Sequence, residues 1–310
     1  MRALLVVNPM ATATSVAARD VLAHALASTV RLEVVETKAR GHAAELARTA
    51  ATDGLDVVVA LGGDGTVNEV VNGLLADGPR PDLPALAVVP GGSTNVFARA
   101  LGLPQDPLEA TSALLDALAS ERQRTIGLGT ADSDGERRWF TFNAGLGLDA
   151  AVVRRVDRCR AAGRRPTPGL FVREGFRHFL LHAERRRPGL VLERPGAEPE
   201  ALGLALVCNA APWTYLGDRP VQPAPRASFD AGLDLFGLRS LGTLRTLRHL
   251  GQILATEPRP SGSRVLQVHD ADQLVLSAAR PQPLQLDGED VGDRSRVVLR
   301  SVPAALRVVL

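Results

Sequence analysis

The first third of the chain alternates short apolar runs with stretches whose apolar residues recur at helical spacing. Residues 3–7 form an apolar run ended by Asn8-Pro9. Residues 16–26 have helical spacing, and 31–36 read as a valine-rich strand. Then come a helix over 43–51, a strand over 57–61, a helix over 67–75, a strand over 85–89 and a helix over 108–118. Apolar strands alternating with helices predict a parallel sheet covered by helices.

From about Arg124 the rhythm changes. The segments 138–143, 202–208, 264–268, 273–276 and 296–300 read as short strands, separated by Gly, Pro, Asp and Ser. That pattern predicts antiparallel β structure. Residues 187–200, rich in proline, glycine and charge, predict an exposed loop. The expected organisation is an α/β domain over 1–125 and a β-rich domain over 126–300, with a terminal strand over 301–310 free to return to the first domain.

Composition narrows the function classes. The chain has 310 residues, 45% hydrophobic and 23% charged, which fits a packed globular protein and not a disordered one. Thirty-six basic against 34 acidic side chains leave a net charge of +2, so no global polyanion binder is expected. Lys38 is the sole lysine, so arginine abundance reads first as a compositional bias. Cys159 and Cys208 lack metal-ligand spacing and imply a reducing compartment. No apolar run reaches membrane-spanning length, and the opening MRALLVVNP reads as a strand, not a secretory leader. A cytoplasmic protein is the expectation.

Gly62-Gly63-Asp64-Gly65-Thr66 carries the strongest local signal. A buried strand delivers a glycine-rich turn to the carboxyl edge of a sheet, where open α/β folds bind ligands. Backbone N–H groups there, with the following helix start, suit phosphate oxygens. The plainer alternative is a tight connection with Thr66 as helix cap. Neither a Walker-type loop nor the dinucleotide fingerprint is present. A second loop, Pro90-Gly91-Gly92-Ser93-Thr94-Asn95, also follows an apolar strand, and Asn8 and Thr37 belong at the same predicted edge. Together they favour a nucleotide site.

The second half offers acidic groups and one basic segment. Asp287-Gly288-Glu289-Asp290 reads locally as a surface hairpin, since Asp-Gly is a common turn pair. Asp230 and Asp234 read as acids that end strands. Residues 154–187 hold 11 arginines interleaved with Leu170, Phe171, Val172, Phe176, Phe179, Leu180 and Leu181. Such a face suits an anionic membrane interface, or packs as an amphipathic helix on the β-rich domain. No nucleic-acid reader is recognisable.

The stretch from Gly62 to Leu74, GGDGTVNEVVNGL, resembles the nucleotide signature of diacylglycerol-kinase catalytic domains. Bacterial lipid kinases and sphingosine kinases share that domain, and NAD kinases are more distant. Pro90 to Arg99 resembles the family's second loop. Asn8-Pro9, Thr37, Gly41-His42-Ala43, Asn143 to Ala150, Asp230 to Asp234 and Leu286 to Glu289 also match family positions, so the likeness covers nearly the whole chain.

The resemblance implies an α/β nucleotide domain, an antiparallel β-sandwich domain and an active site in the cleft between them. It implies transfer of the γ-phosphoryl group of ATP to a lipid hydroxyl, with diacylglycerol as acceptor and phosphatidic acid as product. A sphingoid base or another lipid alcohol is the nearest competitor, and a non-catalytic nucleotide-binding membrane sensor is the alternative outside enzymes. The implied nucleotide contacts are Asn8, Thr37, Gly62, Gly63, Gly65, Thr66, Glu69, Gly92, Ser93 and Asn95. Glu289 is the implied general base, with Asp287 in competition; Asp64 is the implied holder of Mg²⁺ or its water shell. Asp230 and Asp234 are implied as a second, structural Mg²⁺ site. The implied partners are ATP, a lipid alcohol and the anionic inner membrane face, with homodimerisation left open. The chain departs from the family pattern in three places: Met10 to Thr14 follow Asn8-Pro9 where relatives often have a small residue and glycine, and Val96 and Ala231 stand where relatives often have acids.

Overall fold

The computed structural model describes residues 1–10, 16–161 and 189–310. The basic segment 154–187 therefore lies, from residue 162 onward, outside the described residues. The chain divides into two compact units, one made of Met1–Leu128 and Pro303–Leu310, the other of Gly129–Val302.

The first unit begins with β1 (Arg2–Val7), α1 (Val16–Ala27) and β2 (Arg31–Glu36). It continues with α2 (His42–Thr52), β3 (Val57–Gly62), α3 (Asp64–Leu74), β4 (Ala85–Pro90), α4 (Val96–Ala100) and α5 (Pro107–Ala119). The strands lie in the order β2-β1-β3-β4 and all run parallel. β3 and β4 are buried at every position, as a sheet covered on both faces requires. One face, through Leu5, Val7, Val59, Leu61, Ala87 and Val89, packs on Leu22 and Leu26 of α1 and Leu114 and Leu118 of α5. Helices α2 and α3 pack on one another, with α2 against β1 and α3 against β3. Pro107 opens α5 behind an Asp106 carboxylate that accepts from the Leu108 and Glu109 amides at 2.8 and 3.1 Å. That cap is legible in the sequence as Asp-Pro ahead of an apolar repeat.

The second unit is antiparallel. The strand β5 (Gln123–Ser133) leads into it, followed by β6 (Glu136–Phe140), β7 (Asn143–Leu146), α6 (Leu148–Ala161), β8 (Leu190–Glu193) and β9 (Glu200–Leu202). Next come β10 (Leu204–Cys208), β11 (Thr214–Leu216), β12 (Arg219–Val221), β13 (Leu233–Leu238) and α7 (Thr243–Ile253). β14 (Val265–Ala271), β15 (Gln273–Leu286) and β16 (Glu289–Val309) complete it. The main path is β14-β13-β10-β7-β15-β16. β15 pairs with β8 over Val275–Ala278 and with β7 over Leu284–Leu286, with an irregularity between Ser277 and Gln282. The strand is thus shared by two groups of neighbours. Leu190, Leu192 and Leu202 from one group join Leu233, Leu235 and Leu266 from the other in one core. In place of the expected separate sandwich sheets, these strands form one branched hydrogen-bonded sheet, with β5–β6 and β8–β9 off the main path, and among the described residues β11–β12 make a separate pair.

Three expectations change in detail. The run 202–208 is interrupted at Gly203, whose amide donates to the Leu238 carbonyl at 2.7 Å. Residues 187–200 contain β8, because Leu190 and Leu192 alternate inward. The strand expected over 296–300 and the terminal strand over 301–310 are one strand, β16, which brings Val308 beside Leu86 of β4.

Candidate nucleotide and phosphoryl-transfer site

The carboxyl ends of the four parallel strands bear the polar residues that the sequence placed there. β1 connects outward to β2, while β3 lies on β1's other side, so the strand order reverses between β1 and β3. Ligands of open α/β sheets bind outside such a switch point. Asn8 sits there: its amide donates to the Leu61 carbonyl at 3.0 Å and its Nδ2 donates to Thr66 Oγ1 at 3.0 Å. Its Oδ1 accepts from the Met10 amide at 2.9 Å, turning the chain away from the sheet. Thr37, after β2, is joined to β1 by its amide, which donates to the Val7 carbonyl at 2.8 Å.

The two glycine-rich loops are locked backbone to backbone. The Gly91 amide donates to the Gly62 carbonyl at 2.8 Å. A Cβ on Gly92 would lie 2.7 Å from Gly63 Cα, and one on Gly63 would lie 3.2 Å from Gly92 Cα. These glycines are therefore required by the loops' mutual approach as well as by any ligand. Gly92→Ala is expected to lower stability by about 1–3 kcal/mol through a forced backbone shift. Urea unfolding checks this, and an unchanged midpoint with an unchanged slope would count against loop contact.

Asn95 begins α4 in the left-handed region, at φ 50°, a conformation asparagine tolerates. Its Oδ1 accepts from the Gly92 amide and its Nδ2 donates to the Gly92 carbonyl, both at 2.9 Å. Asp64 reaches across from α3: its two carboxylate oxygens accept from the Val96 and Phe97 amides, each at 3.0 Å. The aspartate of the first loop is thus the N-terminal cap of the helix that follows the second. Ser93 is exposed at the tip. The first turn of α3 leaves the amides around Gly65 without intrahelical acceptors, and the helix dipole makes that end positive.

Glu69 stands further along α3. Its carboxylate accepts from the Gly41 and Ala43 amides at 2.8 and 3.2 Å, stitching α3 to the first turn of α2. Gly73 lies where a Cβ would strike the Ala44 carbonyl. Much of the motif after Thr66 therefore serves helix packing. His42 accepts the Lys38 amide on Nδ1 at 3.0 Å, a capping contact.

In the second unit, Asp287-Gly288 is a two-residue turn between β15 and β16, with Leu286 opposite Glu289. Both turn residues have positive φ, 50° and 77°, as a type I′ hairpin demands. The expected hairpin is present, but Asp287 is buried in it. Its Oδ2 accepts from the Thr141 amide at 2.7 Å and hydroxyl at 2.9 Å; its Oδ1 accepts from the Phe142 and Asn143 amides at 2.9 and 3.1 Å. Four donors surround one carboxylate. Glu289, the next acid, is half-buried at the start of β16.

Asp234 is buried, and its Oδ1 accepts from the Asp270 amide at 3.0 Å and meets His269 Nδ1 at 2.7 Å. Asp230 is exposed, with its amide on Ser228 Oγ at 3.1 Å. Among the described residues, no three His, Cys, Asp or Glu side chains gather as a metal-binding set. Cys208 is buried and burial raises its thiol pKa, so it acts as packing.

Sequence reasoning assigns no role to Asp149 or Gln285. Asp149, in the first turn of α6, is buried, and burial pushes its carboxyl up to about 7 against a partly offsetting hydrogen bond from Gln285. The folded state then keeps a proton that the unfolded chain, with an ordinary value of about 4, has released. Stability is expected to fall as pH rises from about 4 through 7, by at most about 4 kcal/mol from this group, and to level off above. Asp149→Asn cannot titrate. The stability difference between wild type and variant, from urea unfolding at several pH values, should follow that window. The same pH slope in both proteins would refute it.

The comparisons agree with this architecture. The family model for the diacylglycerol kinase catalytic domain matches residues 2–131. A protein of Stenotrophomonas maltophilia (strain K279a) named "Probable lipid kinase YegS-like" is 31% identical over 299 residues, covering 94% of this chain and 91% of its own length. The crystal structure of a diacylglycerol kinase from Bacillus anthracis str. Sterne superposes with a TM-score of 0.73 at 21% identity, over 99% of this chain and 96% of that one. An NAD kinase from Archaeoglobus fulgidus, solved with ATP, shares the fold more distantly, with a TM-score of 0.53 at 13% identity, over 100% of this chain and 94% of that one. With two locked glycine-rich loops at a sheet switch point and a relative alike over almost its whole length, the chain belongs to the diacylglycerol kinase and YegS-like lipid kinase family.

Proposed function

We propose that this lipid kinase transfers the γ-phosphoryl group of ATP to the hydroxyl of diacylglycerol, giving phosphatidic acid and ADP. The observation that carries the nucleotide half is the locked pair of loops. Gly63 and Gly92 touch, Asp64 caps α4 from α3, and the first-turn amides of α3 lie beside Asn8 and Thr66 at the switch point. Such amides bind phosphate oxygens without needing a lysine. Asn8, Thr37, Gly62, Gly63, Gly65, Thr66, Gly92, Ser93 and Asn95 are the proposed nucleotide contacts, and Glu69 supports them through α2.

In the reaction, the acceptor oxygen forms a bond to the γ-phosphorus as the bond to the β–γ bridging oxygen breaks. The acceptor proton passes to Glu289, and ADP leaves with the bridging oxygen. The carboxylate accepts a proton that becomes acidic only during transfer. Asp287, held by four donors, orders the turn and is the weaker candidate base.

The donor set bears on Mg²⁺. The described residues supply no ready cluster of three ligands, but Mg²⁺ commonly rides on substrate phosphates with one or two carboxylates and several waters. Asp64, a carboxylate at the start of α3 beside the proposed phosphate amides, fits as that one carboxylate. Bound so, the ion offsets phosphate charge. Asp230 and Asp234 with His269 do not make a comparable set.

No helix among the described residues is long and apolar enough to cross a membrane. The acceptor is reached, on this proposal, from the anionic inner membrane surface through the arginine-rich stretch 154–187. The test is transfer of label from γ-labelled ATP to diacylglycerol, monoacylglycerol, a sphingoid base and a polyprenol in mixed micelles with Mg²⁺. Labelled phosphatidic acid above all other products is expected. A preferred product from another lipid would reassign the acceptor. ATP binding without transfer to any acceptor would leave a nucleotide sensor.

A further inference from the structure

The turn that carries Glu289 is fastened on both sides of that residue. Asp287 is held by the 141–143 backbone and the Thr141 hydroxyl. Its amide in turn donates to the Asn143 carbonyl at 2.9 Å. Gly288 is held by Gln285, whose Oε1 accepts the Gly288 amide at 2.8 Å. Asp290, on the far side of Glu289, is gripped by Arg154 of α6. Arg154 Nε and Nη2 donate to its two carboxylate oxygens at 2.8 and 3.0 Å, while Nη1 reaches Asp293 at 2.7 Å.

Gln285 is itself locked. It is 1% exposed, and its Nε2 donates to Asn143 Oδ1 at 2.9 Å and to Asp149 Oδ2 at 2.7 Å. Asn143 Nδ2 donates to the Trp213 carbonyl at 2.8 Å, which fixes which end of that amide faces Gln285. With both Nε2 hydrogens committed to oxygens, the Gln285 amide cannot flip, and its Oε1 must point at Gly288. Asp149 is seated for this task, because Gly145 lacks the Cβ that would collide with its carboxylate. A buried carboxyl is costly unless it is hydrogen-bonded; here its partner is the Gln285 amide, which it orients. A hairpin turn needs none of this to form, since Asp287-Gly288 already has the backbone a type I′ turn requires.

We propose that Gln285, oriented by Asp149, and Arg154, through Asp290, are positioning residues that hold the Glu289 backbone in one place for proton transfer. The inference rests on Glu289 being the base. A catalytic group confined to its productive geometry gives a faster chemical step without changing how ATP binds. Gln285→Glu places carboxylate oxygens against both Asp149 and Asn143 Oδ1, and the second of these breaks the arrangement whichever way Asp149 is protonated. Adding Asp149→Asn restores a donor opposite an acceptor. The amide introduced at position 149 can donate to the carboxylate introduced at position 285, whose other oxygen still accepts from Gly288, while Asn143 Oδ1 stays opposite a carboxylate oxygen.

The test uses the full chain, γ-labelled ATP with Mg²⁺ and the four-lipid panel, with folding of each variant checked by circular dichroism and thermal melting. Gln285→Glu is expected to lower kcat at least tenfold with KM for ATP within twofold, and the double variant, which repairs one of the two broken contacts, to recover part of that loss. Arg154→Gln, at a partly exposed site and so tolerant of substitution, should lower kcat severalfold with KM for ATP unchanged. It keeps the question answerable where Gln285→Glu does not fold. If folded Gln285→Glu, or Arg154→Gln where the former does not fold, turns over like wild type while Glu289→Gln is inactive, positioning is overturned and the base assignment stands. If Glu289→Gln is as active as wild type, or wild type labels none of the lipids, the base assignment falls and the inference falls with it.

Discussion

Glu289→Gln is expected to lower turnover between about 10²- and 10⁴-fold, the range general-base catalysis supplies. ATP affinity should stay within about twofold. Glutamine keeps the size and shape of the side chain but loses the negative charge and one acceptor oxygen, and with them the ability to take a proton. The residue opens β16 opposite Leu286 and is half-buried, and a substitution of equal size keeps its packing. Asp287→Asn is the instructive contrast. Four donors point at the Asp287 carboxylate, and an amide nitrogen placed among them leaves at least one facing another donor. That variant should lose stability first and activity as a consequence. Initial rates with the lipid panel, calorimetric ATP binding and melting curves separate the two. Turnover of Glu289→Gln within threefold of wild type would remove the base assignment.

The first unit is legible because its strands are buried on both faces and so appear as unbroken apolar runs. The strand at 31–36 keeps its expected bounds, although it is the exposed edge of the sheet, since Leu32, Val34 and Val35 carry enough β character by themselves. The second unit is legible in kind but not in extent. β15 runs on through Arg280, Pro281, Gln282 and Pro283, which look like a break, because the strand bends there and changes partners. β8 hides in a charged, proline-rich stretch, and its two inward leucines are too few to declare it.

At the site, the sequence names the residues of the loops but not their joint work. The Asp64 bonds to Val96 and Phe97 span 32 and 33 residues, and the Gln285 bond to Asp149 spans 136. Local spacing has no access to such pairs. The glycines show the same limit from the other side. Sequence suggests that Gly63 and Gly92 admit a ligand, whereas in the fold they lie against each other. A lone glutamine in a strand, such as Gln285, carries no signal at all until its three partners are in place.

Asp64→Asn should show that the first loop has two duties at once. Each Asp64 oxygen accepts one amide at the start of α4. Asparagine retains a single acceptor, and its NH₂ then faces an amide that has lost its partner. The unmet donor costs about 1–3 kcal/mol. In a chain of this size that corresponds to a fall in melting temperature of roughly 1–5 °C. With α4 released, Asn95 and Gly92 lose the brace that holds the second loop against Gly63, so ATP affinity should fall as well. The carboxylate charge is also lost where Mg²⁺-bearing phosphate is proposed to sit, so turnover should drop by about 10²-fold or more, the scale of a lost electrostatic contact at a reacting group. The two duties separate in the data. A cap alone lowers the melting temperature and leaves kcat per folded molecule unchanged. An ion contact alone lowers kcat and shifts the Mg²⁺ concentration giving half-maximal rate, at an unaltered melting temperature. Both changes together are the expected result, since the same two oxygens that fasten α4 stand at the start of α3, beside its first-turn amides.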